Sequence, residues 1–389
     1  MSRNVIRVLA VSLVATLAVA VQAQTHADAQ PLNSPAAAPV QPASENAAPV
    51  VQLAILLDNS GSMSGLIEQA KSELWRVVNE LTTARRNGQQ PRLEVALYTY
   101  GDPPPRQLNG LTDDLDRVSE SLFAVSISGG SEFCGQAIQT ASRELAWSPS
   151  PNDLKLIFIA GNEPFTQGPV DYREACREAI AKGIMINTIH CGEGIPDDWR
   201  DGALLADGQA ISINQNAQVA HIEAPQDAEI ARLGADLNQT YIPFGAVAAE
   251  SQARQLVQDQ NASTQSQASS VQRAVSKANA YYRNSAWDLV DALNEGRVKL
   301  PDVKAEDLPE NMRGMSLAER QQYVARQSAE RQRLQDRING LNGERNRFVA
   351  ERQKQAAAQS GEKTLDQALV EAIRSQASEK RFIFEAAGL

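Results

Sequence analysis

The feature that most constrains the fold is a series of short apolar runs, each separated from the next by a segment with helical spacing. The runs over 51–57 and 154–160 contain few polar residues, as expected of strands that are covered on both faces. Between 65 and 85, apolar residues recur three and four positions apart, which is helical spacing. This alternation predicts an α/β domain with a doubly wound, mostly parallel sheet. The other predicted elements are strands over 92–100, 184–190 and 210–213 and helices over 111–124, 133–147, 171–182 and 227–237.

The first residues have the pattern of a secretory signal peptide. Arginines precede an apolar run over 8–21, and a small-x-small site allows cleavage after Ala23. A retained membrane anchor is the alternative, but the apolar run is short for a membrane span, and no cysteine lies near the cleavage site. Residues 1–23 therefore predict an exported protein, periplasmic or secreted, with no membrane span after cleavage.

Composition divides the rest of the chain into three segments. Residues 24–48 are mostly Ala, Pro, Gln, Ser and Asn, which predicts a disordered linker. The α/β pattern occupies 49–245, and residues 246–389 are predicted to form a helical C-terminal region. Apolar residues make up 42% of the chain, enough for a core, and the net charge of -10 argues against general nucleic-acid binding.

A long polar helix is predicted from 316 to 359 in the C-terminal region. Its apolar residues fall near heptad spacing, although polar residues interrupt that seam. The helix is expected to pack back on a helix over 270–296 as a hairpin, or to pair with a second chain as a coiled coil. A short helix over 364–377 and a terminal strand or plug over 381–384 follow. The seam residues are Val324, Leu334, Ile338, Leu341 and Phe348, and the interruptions are Gln327, Arg331 and Arg345.

An acid and two hydroxyls follow the first predicted strand directly, at Asp58, Ser60 and Ser62. Ligands of open α/β sheets bind at the carboxyl ends of the strands, and hard cations such as magnesium prefer oxygen ligands. The loop is therefore a candidate cation site. The alternative is that these side chains only cap the next helix, as Ser and Asp do at helix N-termini.

The string Asp-x-Ser-Gly-Ser-Met over 58–63, after an apolar strand, resembles the metal-ion-dependent adhesion site of von Willebrand factor A (VWA) domains. The resemblance covers about 50–245 and implies a Rossmann-like fold. In that family the two hydroxyls bind the metal directly, and the acid is close by or bridged by water. It implies a divalent cation on Asp58, Ser60 and Ser62, with magnesium expected first and calcium or manganese as alternatives.

Two other loops depart from the pattern that the resemblance implies. The Thr of the family's second loop falls on Glu132, and the Asp of its third loop falls on Gly161. Relative to the family pattern, one acid is lost in the third loop and one is gained in the second, so the number of acids around the site is unchanged. Asn162 and Glu163 are further candidates to reach the metal.

Further stretches resemble a narrower bacterial group of exported A-domain proteins, namely 158–165, 187–192, 282–290 and the helical tail. This resemblance implies architecture more than an activity. The expected function is an extracytoplasmic binding module, not an enzyme, that engages a partner protein through the metal face by way of a carboxylate. The alternatives are a metal-free scaffold that acts through its helical tail, with self-association through the long helix, and a hydrolase that uses the metal or Cys134.

The three cysteines, Cys134, Cys176 and Cys191, leave several interpretations open. An oxidising compartment favours one disulfide with one thiol left over; three separate buried thiols and a zinc site are the alternatives. Cys134 begins a predicted helix, a position that lowers a thiol pKa. His190 and Cys191 are neighbours on a predicted strand, so they point to opposite faces, which argues against a catalytic pair.

Overall fold

Eight strands, six of them in one central sheet, are present in the computed structural model, which describes residues 48–214, 222–356 and 365–384. The sheet has the order β4-β3-β1-β5-β6-β7. Every neighbouring pair is parallel except β3 and β4, which are antiparallel. The predicted mostly parallel sheet is confirmed. The strands are β1 (Val50–Leu57), β2 (Ala84–Arg85), β3 (Arg92–Thr99), β4 (Arg106–Thr112), β5 (Leu154–Gly161), β6 (Ile184–Cys191), β7 (Ala210–Ile213) and β8 (Ile383–Phe384).

Helices alternate with these strands and then continue alone through the C-terminal region. Side-chain caps start several of them: Asp114, Asp171, Ser266 and Asp288 accept backbone N–H groups at the starts of α2, α4, α8 and α9, as expected of these residue types. The helices are α1 (Ser64–Leu81), α2 (Leu115–Phe123), α3 (Cys134–Glu144), α4 (Tyr172–Ala181), α5 (Asp197–Leu204), α6 (Asp227–Leu237), α7 (Ala248–Gln265), α8 (Gln267–Lys277), α9 (Leu289–Asn294), α10 (Glu310–Arg313), α11 (Leu317–Ala356) and α12 (Leu365–Glu379).

The sheet is covered on both faces because side chains alternate along each strand. In β1, Leu53 and Leu57 pack in the cluster formed with α1, α2 and α12. Ala54 and Leu56 pack in the opposite cluster, with α3, α4 and Trp199 of α5. All residues of β5 and β6 are buried. Two helical layers therefore enclose the sheet and leave its carboxyl edge to the loops.

The end of the chain returns to the sheet. Gln376 of α12 exchanges amide hydrogen bonds of 2.9 Å with Asn187 of β6, and Phe382 is buried among the residues packed on α1. Strand β8 then pairs antiparallel with β2. The predicted helix over 364–377 and the terminal strand or plug are confirmed within the described residues, and the helix of this region completes a layer of the α/β fold.

The long helix packs on its own chain. The seam residues Leu334, Ile338 and Leu341 are buried against α6 and α8. The predicted interruptions Arg331 and Arg345 are also buried, because each meets an acid: Asp288 at 2.7 Å for Arg331 and Asp227 at 2.7 Å for Arg345. The description of these arginines as interruptions was wrong, and the predicted pairing with a second chain is not shown.

Some predicted elements differ from the structure. The helix over 65–85 ends at Leu81, and β2 takes up 84–85. Strand β4 and helix α5 were not predicted, and 278–288 forms turns rather than helix.

All three cysteines lie in the described residues and are free and buried. The predicted disulfide is not formed: Cys191 packs on the opposite face of the sheet from Cys134 and Cys176, and those two, although on one face, are both free thiols.

The signal peptide over 1–23 and nearly all of the linker over 24–48 lie outside the described residues, and the bounds of the four predicted segments stay predictions. Among the residues that the structure describes, no helix is long and apolar enough to cross a membrane.

Candidate metal centre

Asp58 is the first residue after β1 and lies at the centre of the site. Its backbone N–H donates to Ala160 O at 2.9 Å, and its Oδ1 accepts from Ser60 N at 2.7 Å. Its Oδ2 is buried without a hydrogen-bond partner among the described residues. Burial raises the pKa of this carboxyl to about 6, and repulsion from Glu132 and Glu163 adds to the shift.

The two serines of the loop stand beside Asp58 and reach the loop after β5. Ser60 Oγ and Ser62 Oγ are 3.3 Å apart, with Ser60 buried and Ser62 exposed. The amide of Asn162 contacts Ser62 Oγ at 3.3 and 3.4 Å. Asp58, Ser60, Ser62 and Asn162 therefore form one cluster of oxygen atoms that opens to solvent at Ser62.

Glu132 comes from the second loop, just before α3. It is only 5% exposed, and no hydrogen bond or ion pair of its carboxylate occurs in the described part of the chain. The N-terminus of α3 favours negative charge there. Glu163 is half-buried and its Oε2 accepts from Gln167 Nε2 at 3.0 Å. Both acids lie near enough to raise the pKa of Asp58.

Asn59, which the sequence left unassigned, ties the loops together. Its Nδ2 donates to Ser126 O at 2.9 Å, and its Oδ1 accepts from Gly101 N at 2.9 Å. Gly101 O in turn accepts from Gly130 N at 2.9 Å and Ser131 N at 3.1 Å. A Cβ on Gly101 would lie 2.5 Å from Ser128 O, so only glycine allows this approach. The second loop is thereby held against the first.

Gly161 occupies the place of the acid in the family's third loop, and Tyr100 explains why. A Cβ on Gly161 would lie 2.5 Å from Tyr100 Oη and 3.2 Å from Asp58 Oδ2. Tyr100 is buried and donates to Ala160 O at 2.7 Å. The phenol therefore fills the space that a side chain at 161 would need. Sequence patterns missed Tyr100 because it lies at the end of a different strand.

Residues 52–219 match the von Willebrand factor type A domain family. This stretch of the chain is a von Willebrand factor type A domain. A search of curated proteins found no match to the chain. The exported group and its helical extension stay predictions.

Solved structures similar to this A domain include the SpRpn10 VWA domain, at 18% identity and a TM-score of 0.36 over 44% of this chain and 91% of that chain. Proximal thread matrix protein 1 from the mussel byssus, with a zinc-occupied MIDAS motif, has 15% identity and a TM-score of 0.34 over 42% of each chain. An aerotolerance-related membrane protein from Bacteroides fragilis has 19% identity and a TM-score of 0.30 over 43% of this chain and 93% of that chain.

The residues of the A-domain site fit a hard cation. An unpaired buried carboxylate is costly, and both Asp58 Oδ2 and Glu132 lack a partner among the described residues. Within those residues, no three His, Cys, Asp or Glu side chains lie close enough to hold an ion by themselves. Serine hydroxyls and the Asn162 amide would therefore supply part of the ligand set, which is oxygen chemistry suited to magnesium or calcium.

The cysteines of the A domain do not form a catalytic centre. Cys134 is buried, with its Sγ 4.0 Å from Tyr100 Oη, and burial raises the pKa of its thiol, so the expected lowering at a helix start is wrong. His190 Nδ1 lies 2.9 Å from Gly194 O, and its ring contacts Trp199. Cys191 packs on the opposite face of the sheet, as predicted. Zinc binding by the three cysteines has no support because Cys191 is separated from the other two.

Proposed function

We propose that this chain is an extracytoplasmic binding module of adhesion type, in which the A domain engages a partner protein through a divalent cation. Magnesium is the first candidate, with calcium or manganese as alternatives. The observation that carries the proposal is the buried Asp58 Oδ2, which has no hydrogen-bond partner among the described residues, together with the Glu132 side chain, which is 5% exposed and makes no hydrogen bond or ion pair there, beside the exposed Ser62.

Each residue has a role in this proposal. Ser60 and Ser62 bind the cation through their hydroxyls, and Asp58 holds it directly or through water. Glu132 supplies the second negative charge, from the start of α3. Asn162 and Glu163 line the side that faces β5, where Glu163 is already held by Gln167. A bound cation with an open position attracts an anionic group, so a carboxylate of the partner completes its shell.

The proposal places the protein in the periplasm or outside the cell, on the support of the signal-peptide pattern over 1–23. The helical tail then acts as a spacer or clamp that is fixed to the A domain. A metal-free scaffold that self-associates through the tail is the second candidate. Its apolar seam of Leu334, Ile338 and Leu341 is already packed against α6 and α8, which favours the binding module.

Calorimetry on the chain without residues 1–23 tests the cation. Magnesium, calcium and manganese are titrated into wild type, Asp58→Ala and the control Asp197→Ala. Asp197 is an acid on α5 that pairs with Arg200 and is fully exposed. Wild type and Asp197→Ala are expected to show saturable binding, and Asp58→Ala to lose at least about tenfold in affinity. Absence of saturable binding in wild type, or equal binding by Asp58→Ala, would contradict the proposal.

The partner is sought by pull-down from an envelope extract with and without chelator. A protein that is captured only in the presence of the cation, and not by Asp58→Ala, is the expected result. A captured set that does not change with chelator would rule out engagement through the cation.

A further inference from the structure

A cavity of about 370 Å³ opens beside the metal loop, and its wall is made of the residues that hold that loop in place. Asn59, Gly101, Ser126 and Ser128 line it. The Asn59 side chain is hydrogen-bonded to the backbone of both Gly101 and Ser126 at 2.9 Å. The cavity and the candidate cation site therefore share one wall, with Asp58 and Ser60 on either side of Asn59.

Arg106 lines the same cavity from the first residue of β4. Its side chain is exposed and makes no ion pair, hydrogen bond or ring contact in the part of the chain that the structure describes. By contrast, Arg254 contacts three acids at 2.8 to 3.6 Å. A guanidinium carries five N–H donors, and its fork matches a carboxylate in two parallel bonds.

The strand fixes where Arg106 stands. Arg106 pairs with Thr99 at the carboxyl end of β3, and the next residue, Gln107, accepts a 2.6 Å hydrogen bond from Tyr98 Oη. The start of β4 is thus anchored to β3 at the same sheet edge as the metal loop.

Asp102 supplies the opposite charge in the cavity. It lines the wall with Arg106, yet the two are not ion-paired in the described residues. The carboxylate of Asp102 repels a ligand that carries a negative charge at every position. The cavity therefore suits a segment with separated acids rather than a continuous polyanion.

We propose that this cavity is a second subsite for the partner of the A domain, and that it selects an acidic peptide segment with two separated carboxylates. The first carboxylate binds the cation at the metal loop, and the second binds the guanidinium of Arg106. This inference rests on the proposed function of the metal loop. Arg106 is the residue that determines the preference for a second acid.

Fluorescence anisotropy with synthetic peptides tests the subsite. The probes are blocked, labelled peptides of Gly and Ser that contain one Asp, or two Asp residues at separations of up to about six residues, which spans up to roughly 20 Å. They are titrated with wild type, Arg106→Ala and Arg92→Ala in magnesium and again in chelator. Arg92 is the control, because it is an exposed arginine at the opposite end of the sheet, where β3 starts, and it pairs with Glu94 at 3.0 Å.

Wild type and Arg92→Ala are expected to bind one two-acid peptide at least about tenfold more tightly than the one-acid peptide, the size expected of a charge-assisted pair. Arg106→Ala is expected to bind both alike, and chelator to remove binding by all three proteins. The inference is overturned if wild type shows no preference at any separation, or if Arg106→Ala keeps it. Either result leaves the proposed function standing when calorimetry shows cation binding, whereas binding unchanged by chelator contradicts both.

Discussion

Arg331 holds the long helix α11 against the segment that leads into α9, and its removal tests how the helical C-terminal region is held together. Its Nη1 lies 2.7 Å from Asp288 Oδ2 and 2.8 Å from Asp291 Oδ1. Its Nη2 donates to Thr240 O at 2.8 Å, and the guanidinium lies 4.2 Å from the centre of the Tyr241 ring. Asp288 is fully buried, so water screens this pair little.

Arg331→Met keeps an unbranched apolar side chain at this place and leaves Asp288 and Asp291 without their cation. Removing one partner of a buried ion pair costs about 3–5 kcal/mol. Arg333→Met is the matched control on the same helix: Arg333 is 64% exposed and pairs with Glu330. An exposed pair of this kind contributes about 0–1 kcal/mol.

The stability lost in Arg331→Met is expected to depend on pH. Burial, with repulsion from Asp288, raises the pKa of Asp291 from 3.8 to about 6, and Arg331 opposes that shift. Without Arg331 the pKa rises further. A carboxyl whose pKa is raised on folding stabilises the folded state below its unfolded pKa and loses that contribution as pH rises through its folded pKa. The deficit of Arg331→Met is therefore expected to be largest at pH 7 and smaller at pH 5.

Urea unfolding followed by circular dichroism measures both effects on wild type, Arg331→Met and Arg333→Met. If the helical C-terminal region unfolds in a separate transition, the loss of stability is expected in that transition. If Arg331→Met and Arg333→Met have the same free energy of unfolding at pH 7, the ion pairs of Arg331 do not stabilise the fold and the prediction is refuted. An equal deficit at pH 7 and pH 5 would refute the assignment of its pH dependence to Asp291.

Three further predictions concern the metal site and a buried lysine. Gly161→Asp is expected to cost about 1–3 kcal/mol in urea unfolding because its Cβ would lie 2.5 Å from Tyr100 Oη, and adding Tyr100→Phe recovers part of that loss. Glu132→Gln is expected to weaken magnesium binding about tenfold in calorimetry without lowering the free energy of unfolding, since the Glu132 carboxylate makes no hydrogen bond or ion pair among the described residues. Desolvation lowers the pKa of Lys277 from 10.5 to about 8, although the attraction of Asp259 opposes this shift. The free energy of unfolding of wild type is therefore expected to rise relative to that of Lys277→Met as pH increases from 8 towards 10.5. A difference between the two proteins in urea unfolding that stays constant over this range contradicts the prediction.

Local patterns predicted the α/β part of the fold because its strands are buried on both faces. β5 and β6 are buried throughout, so their apolar runs were visible without knowledge of their neighbours. Strand β4 was missed because it is an edge strand with the polar sequence Arg-Gln-Leu-Asn-Gly-Leu-Thr over 106–112, which has no apolar alternation.

Contacts between distant residues were beyond the reach of the sequence. A charged residue in an apolar seam predicts an interruption unless its partner is known. The partners of Arg331 and Arg345 are Asp288 and Asp227, which are 43 and 118 residues away. The cluster of Asp58, Ser60 and Ser62 was visible because it is local, whereas its contact with Asn162 depends on β1 and β5 being neighbours.

The altered loops change where negative charge lies around the candidate cation. Tyr100 takes the space at Gly161, and burial raises the pKa of its phenol, so this side of the site is neutral. Glu132 adds a carboxylate at the start of α3, while Glu163 is held by Gln167. A cation would thus be drawn towards the second loop and leave the side of Ser62 and Asn162 to a partner. It follows that Glu132→Gln should weaken cation binding more than Glu163→Gln does. If calorimetry shows the reverse order, the carboxylate that matters for the cation is Glu163 on the third loop and this reasoning is refuted.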